Sequence, residues 1–254
     1  MRIRFLGTGS AFTENPESFQ SNMFVLGPGD VGGLLLDAGA DVRRAMVAQG
    51  FGYRDVSAVY ISHLHNDHIG GMEWLAFRSY FDPDAPKPRL IIAEEIVDEL
   101  WSNALKGGMG RLDDGPAHLD TYFDVTTFRD GECFAWGDVE MSPVRVTHFV
   151  SASHESPSFG LMMRSKNRSS FLTTDARFDP GNLMLLYEAA DVIFHDCETV
   201  ARPTDVHAHF TQLSTLPGDI RAKMWLYHYN DGELPDAEAA GFLGYTRPGQ
   251  EFDL

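Results

Sequence analysis

The chain has only two cysteines, Cys133 and Cys197, in 254 residues. They lack any paired Cys-x-x-Cys spacing, so neither a disulfide framework nor a thiolate zinc site can be read from them. Both are expected to be small buried hydrophobes. Positive charge is the second shortage. Lys and Arg number 20 against 37 Asp and Glu, a formal net charge of −17. Such a surface repels polyphosphates and disfavours binding along a long nucleic acid. A small anionic substrate needs only a local positive field, which bound divalent cations can supply. Long apolar runs are the third. No stretch approaches the roughly 20 residues of a membrane span, and residues 1–7 are too short in apolar length for a signal peptide. A cytoplasmic, reducing location is expected. At 43% hydrophobic and 12% aromatic, the chain can still bury a substantial core. No repeat or low-complexity linker divides it, so one domain over residues 1–254 is expected.

What is abundant is histidine in one place. His63-Leu64-His65-Asn66-Asp67-His68 puts three imidazoles and a carboxylate into six residues. Neutral imidazole and carboxylate are ligands that a divalent ion such as zinc prefers. The cluster follows an apolar strand-like run, 58–61, and precedes Ile69-Gly70-Gly71. On extended backbone His63 and His65 point to one side, and Asp67 and His68, past the strand end, can turn toward a second ion.

Strand-like runs recur at 3–6, 23–26, 33–36, 90–92, 139–146, 159–163, 170–173, 192–194 and 224–227, most of them bounded by Gly, Pro, Asp or Asn. Helical periodicity predicts helices over 41–49, 68–80 and 94–105. Early hairpin-spaced strands followed by mixed strands and helices indicate sheets covered by helices. The longest irregular stretch is 107–120, read equally as a functional loop or a surface insertion. Sheet proteins gather a site at strand ends, and three isolated residues end apolar runs: His148, Asp175 and His228. Together with the cluster they make a ligand set of five imidazoles and two carboxylates, enough for two ions with room for a bridging hydroxide.

These residues resemble the metallo-β-lactamase superfamily. The matching elements are Phe5-Leu6-Gly7-Thr8-Gly9-Ser10, Leu36-Asp37-Ala38-Gly39, the segment from Ser62 to Gly71, His148, Thr174-Asp175 and His228, in the family's order. The resemblance implies an α/β fold, a four-layer αββα sandwich with a dinuclear centre at one sheet edge. One ion would take His63, His65 and His148, the other Asp67, His68 and His228, and Asp175 would bridge them. The cofactors implied are two divalent ions, zinc first and manganese as the alternative. Asp175 stands where lactam-hydrolysing members with a thiol ligand carry cysteine, which argues against lactam hydrolysis. Thioester hydrolysis is left open by the ligands alone.

Within the superfamily, His209-Phe210-Thr211 resembles the His-x-Thr segment of ribonuclease Z, and His195-Asp196 its His-Glu pair. That likeness implies His209 as the group protonating the leaving oxygen, with Asp196 as its orienting acid; Asp67, through its ligation, is expected to steer the nucleophile. Asp for Glu is a departure that shortens the reach. His207 stands two residues from His209 and either shares the site or faces solvent. A tRNA 3′ endonuclease is resisted by the acidic chain and by the lack of a basic Gly/Pro insertion between His148 and Asp196. A closer resemblance is to the anti-Pycsar cyclic-nucleotide phosphodiesterases, through His68-Ile69-Gly70-Gly71-Met72-Glu73-Trp74 and Leu100-Trp101-Ser102-Asn103-Ala104-Leu105. It implies hydrolysis of 3′,5′-cyclic nucleotides by a homodimer, with 107–120 as a loop reaching across it. Asp37 reads equally as a turn residue or as a partner orienting a ligand imidazole. Glu73 can face the site or water, and His118 and His154 are expected at the surface. Gly7-x-Gly9 is not a dinucleotide fingerprint, because Phe12 occupies the sixth position and no helical pattern follows.

Overall fold

The computed structural model describes residues 1–27, 31–151 and 155–254. His154 lies outside the described residues. The chain first lays down β1 (Arg2–Phe5), β2 (Met23–Leu26), β3 (Gly33–Leu36), β4 (Val56–Ile61) and β5 (Arg89–Ala93). A small hairpin, β6 (Arg111–Leu112) with β7 (Gly115–Pro116), precedes β8 (Asp124–Phe128). The second half supplies β9 (Phe134–Trp136), β10 (Val139–Val150), β11 (Glu155–Arg164), β12 (Ser169–Leu172), β13 (Val192–Asp196), β14 (Met224–Tyr227), β15 (Gly244–Tyr245) and β16 (Glu251–Asp253). Two seven-stranded sheets result, ordered β16-β1-β2-β3-β4-β5-β8 and β15-β14-β13-β12-β11-β10-β9. Each begins as an antiparallel meander and continues with parallel strands, β3 to β8 in one and β12 to β15 in the other.

The sheets face one another. Phe5 of β1 packs on Phe194 of β13 with centroids 5.3 Å apart, and the Tyr60 hydroxyl of β4 donates to the Phe159 carbonyl of β11 at 2.9 Å. Alternation along the second sheet then decides which core each residue joins. Leu161, Met163, Leu172 and Phe194 enter the inter-sheet core, while Met162, Phe171 and Ile193 enter a smaller one on the other face. Helices at 180–189, 210–213 and 218–221 close that second core with Leu183, Tyr187, Leu213 and Ile220. On the first sheet, the helices Val42–Ala48 and Met72–Tyr80 contribute Val42, Ala45, Met46, Met72, Leu75 and Ala76. The arrangement is the expected four-layer αββα sandwich. Strands covered on both faces explain why β3 and β5 read as continuous apolar runs rather than alternating ones.

Several expectations shift in detail. The helix expected over 68–80 breaks at Gly70-Gly71 into Asn66–Ile69 and Met72–Tyr80. The one expected over 94–105 continues through a π-helical stretch, Leu100–Leu105, to Met109. Residues 107–120 are not irregular: they hold the β6–β7 hairpin, whose turn ends on Gly115 at φ 138, and Tyr122 Oη ties this region down by donating to the Met109 carbonyl. Cys197 is buried, but Cys133 is exposed beside the Ser142 hydroxyl. Among the described residues no helix is long and apolar enough to cross a membrane.

Candidate metal centre

The cluster residues converge because they leave the ends of neighbouring strands. Asp37 follows β3, His63 and His65 follow β4, Asp175 follows β12 and His228 follows β14. Asp37, His228 and Thr174, beside Asp175, take left-handed backbone at φ 62, 59 and 53. Side chains rarely adopt that conformation, and where they do it tends to be at functional sites. His148 comes from within β10, at the point where its register with β11 shifts between Thr147 and Phe149. A bulge of this kind re-aims the extra residue's side chain.

Two ligand groups meet at Asp175. His65 Nδ1 lies 3.1 Å from His63 Nε2 and 3.0 Å from His148 Nε2, with Asp175 Oδ2 at 3.7 Å and 3.8 Å from the latter two. In the second group His68 Nε2 is 3.2 Å from both Asp67 Oδ2 and Asp175 Oδ2. His228 Nε2 lies 3.3 Å from Asp67 Oδ2 and 3.5 Å from Asp175 Oδ2. Ligands about 2.0–2.1 Å from a tetrahedral ion stand about 3.4 Å apart, so both spacings suit a divalent cation. A further observation supports this. His68 Nε2 and Asp175 Oδ1 are buried without a hydrogen-bond partner, a costly state unless something ligates them.

The outer nitrogens are held. His68 Nδ1 donates to Asp37 Oδ2 at 2.7 Å, and Asp37 is itself fixed by the Ser62 N–H and hydroxyl, each at 2.8 Å. His148 Nδ1 donates to the Val206 carbonyl at 3.1 Å, and His63 Nδ1 lies 3.0 Å from Ser62 Oγ. Such partners fix the tautomer and aim each Nε2 inward. Asp37 therefore orients an imidazole. Glu73 is exposed and takes no part; His118 is exposed too.

The structure does not bring His209 to the cluster. Its Nε2 donates to the Val200 carbonyl at 2.8 Å and its Nδ1 accepts from the Thr211 N–H at 3.2 Å, so both nitrogens are spent. The reason is local: His209 is the N-cap of the helix Phe210–Leu213, and its backbone N–H donates to Gln212 Oε1. A cap followed three residues later by Gln is a legible helix start, and that reading of the segment would have excluded it. His207 lies beside the cluster instead. Its ring stacks on His228 at 4.7 Å and lies 4.9 Å from His148, and its Nδ1 is 2.9 Å from Asp196 Oδ2. Asp196 partners His207, not His209. It is fully buried, receives the Ala176 N–H at 3.1 Å, and has His195 Nδ1 3.1 Å from its Oδ1. Tyr187 Oη continues the chain, 2.8 Å from His195 Nε2.

The two groups differ in charge. Burial holds His63 and His65 below the ordinary imidazole value and lowers His148 to about 4. Burial works the same way on His68 and His207, but Asp175 and its fellow carboxylates outweigh it, raising His68 and bringing His207 to about 9. In metal-free protein the first three give up protons that the unfolded chain keeps below about pH 6.5, so stability rises with pH from 4 to that value. His68 and His207 keep protons that the unfolded chain loses above it, so stability falls again toward pH 9. Chelator-treated protein should therefore melt highest near pH 6.5; a melting temperature that climbs steadily to pH 9 would contradict this charge pattern.

The fold is that of the metallo-β-lactamases, and its carboxylate–imidazole groups are a donor set that could hold divalent metal ions. It matches the structure of the metallo-beta-lactamase fold protein YhfI from Bacillus subtilis with a TM-score of 0.76, at 15% identity, over 99% of each chain. Zn(2+)-bound PqqB from Methylobacterium extorquens matches with a TM-score of 0.72, at 17% identity, over 100% of both chains. The family model described as Anti-Pycsar protein Apyc1 matches residues 1–252, and the chain belongs to that family. The Anti-Pycsar protein Apyc1 of Paenibacillus harenae is 35% identical over 257 residues, covering 100% of both sequences.

Proposed function

We propose that the protein is a dinuclear phosphodiesterase that hydrolyses 3′,5′-cyclic nucleotides to nucleoside monophosphates. The observation that carries this reading is Asp175, which is shared by the two ligand groups and by a third with Asp196, His207 and His228, and whose Oδ2 lies within 3.8 Å of imidazole nitrogens in the first two. His63, His65, His148 and Asp175 would hold one ion, and Asp67, His68, His228 and Asp175 the other, with zinc the preferred pair and manganese the alternative. When bound, the ions would supply Lewis-acid charge at the phosphate and make a water molecule acidic enough to attack.

The chain's own groups complete the reaction. Asp67 orients the attacking water by accepting one of its protons in a hydrogen bond. The water oxygen bonds to phosphorus as the bond from phosphorus to the 3′ oxygen breaks, and the proton that the water sheds passes by way of Asp67 to solvent, from which His207 is reprotonated after its own transfer. His207, anchored at Nδ1 by Asp196, gives its Nε2 proton to that departing oxygen. Water is consumed and one monophosphate is formed. The family membership supports a cyclic nucleotide over other diesters, and the net charge of −17 weighs against tRNA 3′ cleavage, which needs a basic track. The reading includes a homodimer, with the exposed β6–β7 hairpin as the segment reaching across.

The test is a panel of cyclic mononucleotides, a bis-phenolic phosphodiester and a tRNA precursor, each with metal-loaded protein and with chelator. Turnover confined to metal-loaded protein, and fastest on a cyclic mononucleotide, is expected. Cleavage of the precursor that outpaces every cyclic nucleotide and falls steeply with salt would replace this reading with the endonuclease one.

A further inference from the structure

A cavity of about 310 Å³ opens beside His207 and His228. Its other walls are mainly apolar, with Phe12, Val200 and Val206 among them. The lining holds one carboxylate, Glu198, and neither Lys nor Arg. A phosphate set deep in it would meet the Glu198 carboxylate, and its one cationic donor, His207, stands at the edge shared with the ligand groups. A flat, neutral heterocycle would find apolar walls and a few polar groups at its edge, the usual character of a ligand pocket.

Phe12 stands out on this wall. It is 91% exposed and lines the cavity. Its loop is not loose. Asp231 accepts from Thr13 Oγ1 at 2.6 Å and from the Glu14 N–H at 2.7 Å, and the Ser10 N–H donates to the Tyr229 carbonyl at 3.0 Å. Phe12 is thus held between two tethers, with its ring presented to the cavity. Across the cavity, Glu198 is buried and braced by Thr204, whose hydroxyl and N–H donate to its two oxygens at 2.6 Å and 2.8 Å. A carboxylate oxygen has a second lone pair, which can receive an N–H from a base edge.

We propose that this cavity is the nucleobase subsite, in which Phe12 stacks on the base and Glu198 meets its N–H edge while the phosphate sits at the ligand groups. The inference rests on the cyclic-nucleotide reading above and adds where the base goes. Every base offers a π-face, so stacking on Phe12 confers affinity for a base without choosing strongly among bases.

The experiment compares the metal-loaded wild type with Phe12→Ala and Phe12→Trp on a cyclic mononucleotide and on 1-O-methylribose 3′,5′-cyclic phosphate, the same ring without a base. Phe12→Ala should raise KM for the nucleotide about tenfold or more, as expected for a lost base stack, with kcat little changed. Phe12→Trp should restore it, and the base-free substrate should not distinguish the three proteins. An unchanged KM for the nucleotide would overturn the subsite while leaving the phosphodiesterase reading intact. So would an equal loss on both substrates, or a loss that follows a change in oligomeric state by sedimentation. Absence of turnover on any cyclic nucleotide by the wild type would sink the phosphodiesterase reading, and this inference with it.

Discussion

Asp175→Ala is expected to remove both ions and to drop turnover beyond the ~10²–10³-fold typical of losing one electrostatic contact. The expectation follows from position. Asp175 Oδ2 lies within 3.2–3.8 Å of Nε2 on His63, His68, His148 and His228, and among the described residues it is the carboxylate that the two groups share. It is also fully enclosed at 1% exposure. Its charge holds His68 and His207 in their protonated range in the metal-free protein. Asp175→Asn keeps the shape and removes the charge, so it separates the two roles. Metal content by mass spectrometry and kcat on the same preparations decide the matter. Full metal occupancy in Asp175→Ala would contradict the shared-ligand geometry.

The second large effect is at His207. Loss of a positioned general acid costs about 10²–10⁴-fold in rate, and His207→Ala should show a fall of that size in kcat with both ions retained. His209→Ala should keep turnover within a few-fold. It should instead lower the melting temperature, because it deletes a helix cap, worth about 1 kcal/mol, and leaves the Val200 carbonyl without its donor. Steady-state kinetics, metal analysis and thermal melts on the pair give a direct contrast. A fall in kcat for His209→Ala with no fall for His207→Ala would reverse the assignment and restore the reading taken from sequence likeness.

That contrast also shows where sequence reading succeeds and fails. The ligand types were legible because metal chemistry restricts them to imidazole and carboxylate, and because His63, Asp175 and His228 come just after apolar strand runs that could be recognised alone. The sheet strands that were missed, among them β8 and β15, were missed for a physical reason. β8 (Asp124–Phe128) is an edge strand with four exposed residues, and β15 has only two residues, so neither carries an apolar pattern. The helix Pro180–Ala189 was legible in principle, since Asp179 caps it and Pro180 opens it. The exchange of His209 for His207 was harder. Two histidines two residues apart look alike until it is known that a helix starts at Phe210 and draws the nearer ring onto its own first turn. The charge difference between the two ligand groups was not legible at all, because it depends on burial and on three carboxylates brought together from distant segments.

The most direct measurement is anomalous diffraction from crystals of metal-loaded protein, recorded at the absorption edge of the bound metal. The account predicts two peaks. One should lie about 2.0–2.2 Å from His63, His65 and His148, the other at that distance from Asp67, His68 and His228, with Asp175 reaching both. A single peak, or peaks away from Asp175, would contradict it.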